Sequence, residues 1–311
     1  MANEEQLILK PKRKIGVILS NIRQGEKMSK TAIVTDSTAY IPDDLCKKMN
    51  ITVVPLAVIW GGETFSDGVT IKPAEFYTRL KDAKVMPSTS QASPADMHKA
   101  FSSLLEQGYD VFGVFISEKL SGTLDSARQA HNEFASAKDK IVLFDSENTG
   151  MALGFQALAL ARAAADGASL ADCQKLAEKV RPNTGVFFAV ETLEFLHRGG
   201  RIGGAQRFLG SVLSVKPILT IKDGKVDSAD SVRTSKKAYD RVIELVAEKC
   251  AGKSNIRLAT LHANAEENAK MVLDNASAKL NAVESILSSV SPAIGTHTGP
   301  GTVGLAYCFG V

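Results

Sequence analysis

The residues best suited to chemistry in this chain are hydroxyls, glycines and one imidazole, gathered in a few short stretches. Pro87-Ser88-Thr89-Ser90-Gln91 sets three consecutive hydroxyl residues before a glutamine. Ile294-Gly295-Thr296-His297-Thr298-Gly299-Pro300-Gly301 sets one histidine among hydroxyls and glycines. Glycine lets a backbone approach a ligand closely, so His297 is the best candidate for a functional imidazole. His98 and His131 fall within helical patterns, and His262 ends a strand pattern. Arg198-Gly199-Gly200-Arg201-Ile202-Gly203-Gly204 is glycine-rich and basic. It is not GxGxxG and follows a helical pattern rather than a strand, which argues against a phosphate cradle. A loop that contacts a partner or the acid group of a ligand fits better.

A second set of hydroxyls follows the strands of the first half. Asp36-Ser37-Thr38 comes after the first strand pattern, Ser117 and then Ser121-Gly122-Thr123 after a later one, and Asp145-Ser146 after the next. In open α/β sheets ligands bind beyond the carboxyl ends of the strands. Free N–H groups, helix N-termini and hydroxyls there make an anion site. The same residues are equally at home as helix caps; their recurrence after several strands favours the site. Ser90 with His297 could also suggest a Ser/His hydrolase or acyltransferase. That chemistry needs a base oriented by a third group and a nucleophile on a strained turn, and no GxSxG is present.

The elements that must position these residues are readable. Ala32–Thr35 and Ile51–Trp60 read as strands, with Pro42–Met49 between them as a helix. Pro73–Leu80 and Ser93–Glu106 read as helices, the latter with Ser93 at the N-cap and Pro94 at N1. Strand Val111–Ile116, helix Leu124–Ala137, strand Ile141–Phe144 and an alanine-rich helix from Met151 continue the alternation. Such alternation implies a mostly parallel sheet covered on both faces. After Gly167 the pattern changes. Helix Leu170–Val180 leads to strand Gly185–Val190. Pro217–Ile221 and Val226–Val232 flank Asp223-Gly224, a hairpin signal. Helices near Lys236–Glu248 and Glu266–Leu280 and strands near Arg257–His262, Val283–Leu287 and Thr302–Tyr307 complete the chain. The expected fold is α/β with two lobes, a parallel-sheet domain over 31–165 and a mixed-sheet α+β domain over 166–311, with a cleft between them.

The totals agree with a globular protein of about two domains. Of 311 residues, 44% are hydrophobic and 23% charged, and the net charge is +3. Neither a basic stripe nor an aromatic platform for nucleic acid is supplied, with aromatic residues at 6%. Cys46, Cys173, Cys250 and Cys308 lie far apart, with no metal-binding or disulfide spacing. No segment has the roughly 18 apolar residues of a membrane span. A cytoplasmic protein with reduced thiols and no metal is therefore expected. Residues 1–27 carry the basic run Lys10-Pro11-Lys12-Arg13-Lys14, and Met28-Ser29-Lys30 reads as a bacterial translation start. The expectation is a poorly ordered arm, with translation beginning at Met28.

Five of these stretches, in order, carry a resemblance to a known family. Thr35-Asp36-Ser37-Thr38, Pro87 to Gln91, Leu120-Ser121-Gly122-Thr123, Arg198 to Ile202 and Gly295 to Gly301 are similar to the motifs of the DegV family. Val54-Pro55-Leu56 and Asp67-Gly68-Val69 also fit. The family includes the fatty-acid-binding subunits called FakB. The resemblance runs from about Thr31 to Gly310. It implies a long-chain fatty acid held in an apolar tunnel between two lobes, with no other cofactor. Its carboxylate would meet Ser90, His297, Thr89 and Thr64, with Ser121, Gly122 and Thr123 on the adjacent wall. The chain itself would be a carrier and not an enzyme. A separate fatty acid kinase subunit would phosphorylate the bound acid for phospholipid synthesis, and Arg198 and Arg201 would meet that kinase or the developing phosphate. A lipid-responsive regulatory binder is the alternative.

Overall fold

The computed structural model describes residues 30–209 and 215–311; the basic arm over 1–27 and the start at Met28 lie outside that range. The first half contains β1 (Lys30–Asp36), α1 (Asp43–Lys48), β2 (Ile51–Val54), β3 (Ala57–Trp60), β4 (Glu63–Ser66), α2 (Pro73–Lys81), β5 (Ser88–Ser90), α3 (Pro94–Glu106), β6 (Tyr109–Phe115), α4 (Thr123–Asn132), β7 (Ile141–Asp145) and α5 (Gly150–Ala165). The second half contains α6 (Leu170–Val180), β8 (Thr184–Ala189), α7 (Glu194–Arg198), β9 (Lys216–Lys222), β10 (Lys225–Val232), α8 (Ser235–Cys250), β11 (Arg257–His262), α9 (Glu266–Leu280), β12 (Glu284–Ser289), α10 (Pro292–Thr298) and β13 (Val303–Cys308).

Three sheets result. β2-β1-β6-β7 is wholly parallel. The sheet β10-β9-β8-β13-β11-β12 is antiparallel except for the β11–β12 pair. A small antiparallel sheet β4-β3-β5 stands apart. The expected parallel and mixed sheets are both present.

One helix joins the two larger sheets. α5 packs on β1 and β6 from one side and on β8, β11 and β13 from the other. Met151, Leu153, Leu158 and Leu160 are all fully buried, which is why this helix is apolar nearly all round rather than striped. The six-stranded sheet obeys the period of two. Val186 and Phe188 face the core shared with α5, while Phe187 faces a second core under α8 and α9. The expected boundary at 166 falls in the turn after α5, yet the first core draws residues from both halves, from Val34 and Phe112 to Leu219 and Ala259.

Two expected bounds are corrected, and two stretches without apolar periodicity prove regular. Ile51–Trp60 is not one strand. Pro55 and Leu56 interrupt it, so β2 joins the parallel sheet and β3 turns away to pair with β4 and β5. Proline has no N–H for a ladder. Pro87–Gln91 has no apolar periodicity, yet Ser88–Ser90 forms a strand by pairing with β3 through backbone bonds that need no apolar side chains. The stretch around His297 is helical. Pro292 supplies the preset first turn, and Gly295 allows the helix to lie against Tyr77. Helix α4 also ends at Asn132 rather than Ala137. By contrast Ser93 caps α3 by accepting from Asp96 N at 3.0 Å, and Asp223 and Gly224 take positive φ at the β9–β10 turn.

The N-terminus of α10 is held by a carboxylate from the other half. Asp67, 1% exposed, accepts the N–H of Ala293 at 2.9 Å and the hydroxyl of Ser37 at 2.7 Å. Ser37 in turn accepts the N–H of Leu56 at 3.1 Å. We predict that Asp67→Ala lowers stability in urea unfolding by about 1–3 kcal/mol, because it strands a helix N–H and a hydroxyl in the core. Asp67→Asn should cost less, since its carbonyl oxygen can still accept the Ala293 N–H while its NH2 donates to the Ser37 oxygen. An equal loss in the two variants would assign the effect to charge instead.

Candidate functional site

Between the small sheet, α10 and the β9–β10 hairpin lies a cavity of about 160 Å³. β5 contributes Thr89 and Ser90, followed by Gln91; the loop before α4 contributes Leu120, Ser121 and Gly122. α10 contributes Ile294, His297 and Thr298. Ile221 and Val226, on either side of the hairpin turn, meet Leu56, Ile116 and Phe188 to make the rest apolar. A second cavity, about 50 Å³, lies deeper and exposes no polar surface. Thr149, Phe188, Ile294 and Thr298 line both, so the two are neighbours. On the outer side an open cleft of about 350 Å³ holds Arg198, Arg201 and Phe195. Thr89, His297 and Arg201 line both the main cavity and this cleft. The polar cluster therefore stands where an apolar interior meets a basic exterior.

Thr89 Oγ1 and His297 Nε2 lie 2.8 Å apart, joining residues 208 positions apart in the chain. Burial, with the nearby Arg201 charge as a lesser cause, pushes the His297 imidazole down to about 4. The ring is thus neutral near pH 7. Its Nδ1 is buried and has no hydrogen-bond partner among the described residues. A Cβ on Gly199 would overlap Nδ1, so the absence of a side chain there is what makes room for the ring. Arg201 donates from Nε to the Leu120 carbonyl at 3.2 Å and from Nη1 to the Gly199 carbonyl at 2.8 Å. Those bonds hold the arginine loop across the mouth. Among the described residues, no Asp or Glu lines the main cavity or the outer cleft.

The hairpin roof is tied to the first half. Ser117 Oγ donates to the Gly224 carbonyl at 2.8 Å, and Lys119 Nζ donates to the Asp223 carbonyl at 2.9 Å. Gly224 has φ +76 and sits so close to the Ser117 hydroxyl that a Cβ would collide with it.

The sequence-derived residues divide accordingly. Thr89, Ser90, His297, Ser121, Gly122 and Arg201 share the main cavity. Arg198 lines the outer cleft, where it pairs with Glu194 at 2.6 Å. Thr123 is fully buried behind the wall, its hydroxyl 2.9 Å from that of Ser121. Thr64 is not brought to this cluster; it is exposed on β4, the strand on the opposite side of β3 from β5. The sheet-edge hydroxyls do not form one anion site. Asp36 accepts from Thr38 N, Thr38 Oγ1 and Ile116 N, and Ser146 donates to the Asn148 carbonyl. These groups satisfy buried backbone, and only Ser121 reaches the cavity. Gln91 and Thr298, given no role beyond their motifs, and Thr149, not named from the sequence, also line the cavity. Gln91 is held by donating from Nε2 to Ser126 Oγ at 3.1 Å and fits because Gly122 has no side chain.

The profile of the DegV family, described as uncharacterised proteins, matches residues 30–310. A DegV domain-containing protein of Halalkalibacterium halodurans is 36% identical over 284 residues, 90% of this chain and 99% of that protein. A DegV family protein from Thermus thermophilus, described for its fatty acid binding, superposes with a TM-score of 0.85 at 34% identity, covering 90% of this chain and 99% of its own. DegV of Bacillus subtilis, described as a fatty acid binding protein, gives a TM-score of 0.82 at 36% identity, covering 91% of this chain and 100% of its own.

We predict that His297 titrates near 4 in an NMR pH series and that Gly199→Ala moves it toward the ordinary 6.5. The added methyl displaces the ring from its buried seat. An unchanged titration in the variant would mean that Gly199 does not set the ring's position.

Proposed function

This chain belongs to the DegV family, and on that premise we propose that it binds a long-chain fatty acid, tail inward, and presents the carboxylate to a separate kinase subunit for acyl phosphate formation. The observation that carries this reading is the gradient of the cavity. Its deep end is apolar, its mouth has hydroxyls and a neutral imidazole, and an arginine stands at the rim, with no carboxylate among the described lining residues. A ligand with an apolar body and one anionic head matches each zone. Each buried methylene contributes about 0.8 kcal/mol, so the tail supplies affinity. Donors from Thr89, Ser90, Ser121 and His297 offset the cost of desolvating the head. The same ligand class is described for the Thermus thermophilus and Bacillus subtilis relatives.

The head would lie beside Thr89 and His297, with an oxygen toward the outer cleft. Arg198 and Arg201 line that cleft, and they would face the kinase or the growing phosphate. Acyl phosphate formed in this way would feed phospholipid synthesis. The hydrolase reading is weaker on geometry. The hydroxyl near His297 is that of Thr89 rather than Ser90, and Nδ1 has no partner to orient the ring as a base.

Protein purified from a bacterial host should carry a fatty acid detectable by native mass spectrometry. Carefully delipidated protein that binds none in calorimetry overturns the proposal. Addition of fatty acid should raise the pKa of His297 above its free value, since an adjacent carboxylate favours the imidazolium. With a fatty acid kinase subunit and ATP, Ser90→Ala or His297→Ala should reduce acyl phosphate formation at least about tenfold more than binding, a difference of roughly 1.4 kcal/mol. Equal losses would mean that the head contacts serve affinity alone.

A further inference from the structure

We propose that the ring of Tyr40 is the stop that sets how long an acyl tail this chain accepts. The inference rests on the fatty acid reading above and concerns the far end of the same cavity. Tyr40 lines the deep apolar cavity together with Gly150 and Leu261. It also lines a groove of about 820 Å³ on the outer surface between α1, the turn after β4 and the end of β12. Tyr40 is the one residue that the two linings have in common. One aromatic residue thus borders both the apolar interior and a large open groove.

The ring is kept there at a conformational cost. Tyr40 has φ +55, a left-handed backbone that glycine adopts freely and tyrosine does not. Its hydroxyl is buried beside Ser291, and burial pushes its pKa well up. The backbone is fixed from both sides. The preceding turn at Ser37–Ala39 is capped by Asp36, and the Tyr40 carbonyl accepts the Ser288 hydroxyl at 2.8 Å. Gly150 faces the ring, and the Cβ it lacks would stand 3.7 Å from the Tyr40 ring edge. A residue strained in this way, on a wall this thin, acts as a partition. Removal of the ring joins the deep cavity to the groove, whose rim includes the exposed Val53 and Val69.

The test is a series of saturated fatty acids of increasing length, titrated into the delipidated chain and into Tyr40→Gly, which suits the backbone at that position. In the natural chain each added methylene should tighten binding about fourfold up to a limit, and affinity should fall beyond it. In Tyr40→Gly the gain should continue for at least about two more carbons. A variant that binds shorter acids normally but keeps the same limit overturns the stop and leaves the fatty acid reading intact. Absence of binding at every length in the natural chain overturns both. A second measurement does not depend on the variant. A fatty acid with a diazirine at its terminal carbon, photolysed in the natural chain, should label the peptide holding Tyr40 or that holding Gly150. Labelling confined to other peptides overturns the proposal.

Discussion

A buried carboxylate holds the site together. Asp67 reaches from the end of the small sheet to the first turn of α10, and it is stable there because a helix N–H and a hydroxyl both donate to it. An ionised carboxyl taken out of water without such partners would cost several kcal/mol. Burial raises its pKa, and the donors from Ser37 and Ala293 oppose that rise. The imidazole of His297 rides on the same short helix. Its approach to Thr89 therefore depends on a side chain more than two hundred residues earlier in the sequence.

The second requirement is room. Close approaches recur around the mouth, and glycine makes them possible at Gly199 beside His297 and, across the two halves, at Gly224 beside Ser117. The hairpin turn, the arginine loop and the loop before α4 are cross-tied by side chains that donate to carbonyls. Such ties fix the mouth without placing further charge in it. The arrangement leaves Arg201 as the cation nearest the head end, while the interior stays neutral.

Much of this was legible in the sequence, and the failures have physical causes. Strands and helices with apolar periodicity were readable, and so were the Ser93 cap and the Asp223-Gly224 turn, because local chemistry dictates them. β5 was hidden because Ser88-Thr89-Ser90 has no apolar alternation and is held by backbone pairing to β3. α10 was hidden because glycine and threonine are poor helix formers; its stability comes from Pro292 and the remote Asp67 cap. The hydroxyl-rich stretches stand out in the sequence, but composition does not separate Ser121, which reaches the cavity, from Ser146, which satisfies a buried carbonyl. The cavity-lining Phe188 and Ile294 look in sequence like any other core residues, since lining and packing make the same demand for apolar surface.

The position of α5 bears on kinetics. A binding protein of two independent lobes can release its cargo by swinging them apart about a hinge. Here the central helix is buried against both large sheets, and such a swing would strip one face of it bare to solvent. That is a cost on the scale of unfolding rather than of breathing. Under the proposed function, exchange of the bound acid would then use small displacements of the cross-tied mouth. Its rate should be governed by how often a few loop hydrogen bonds open, and not by the stability of the whole molecule.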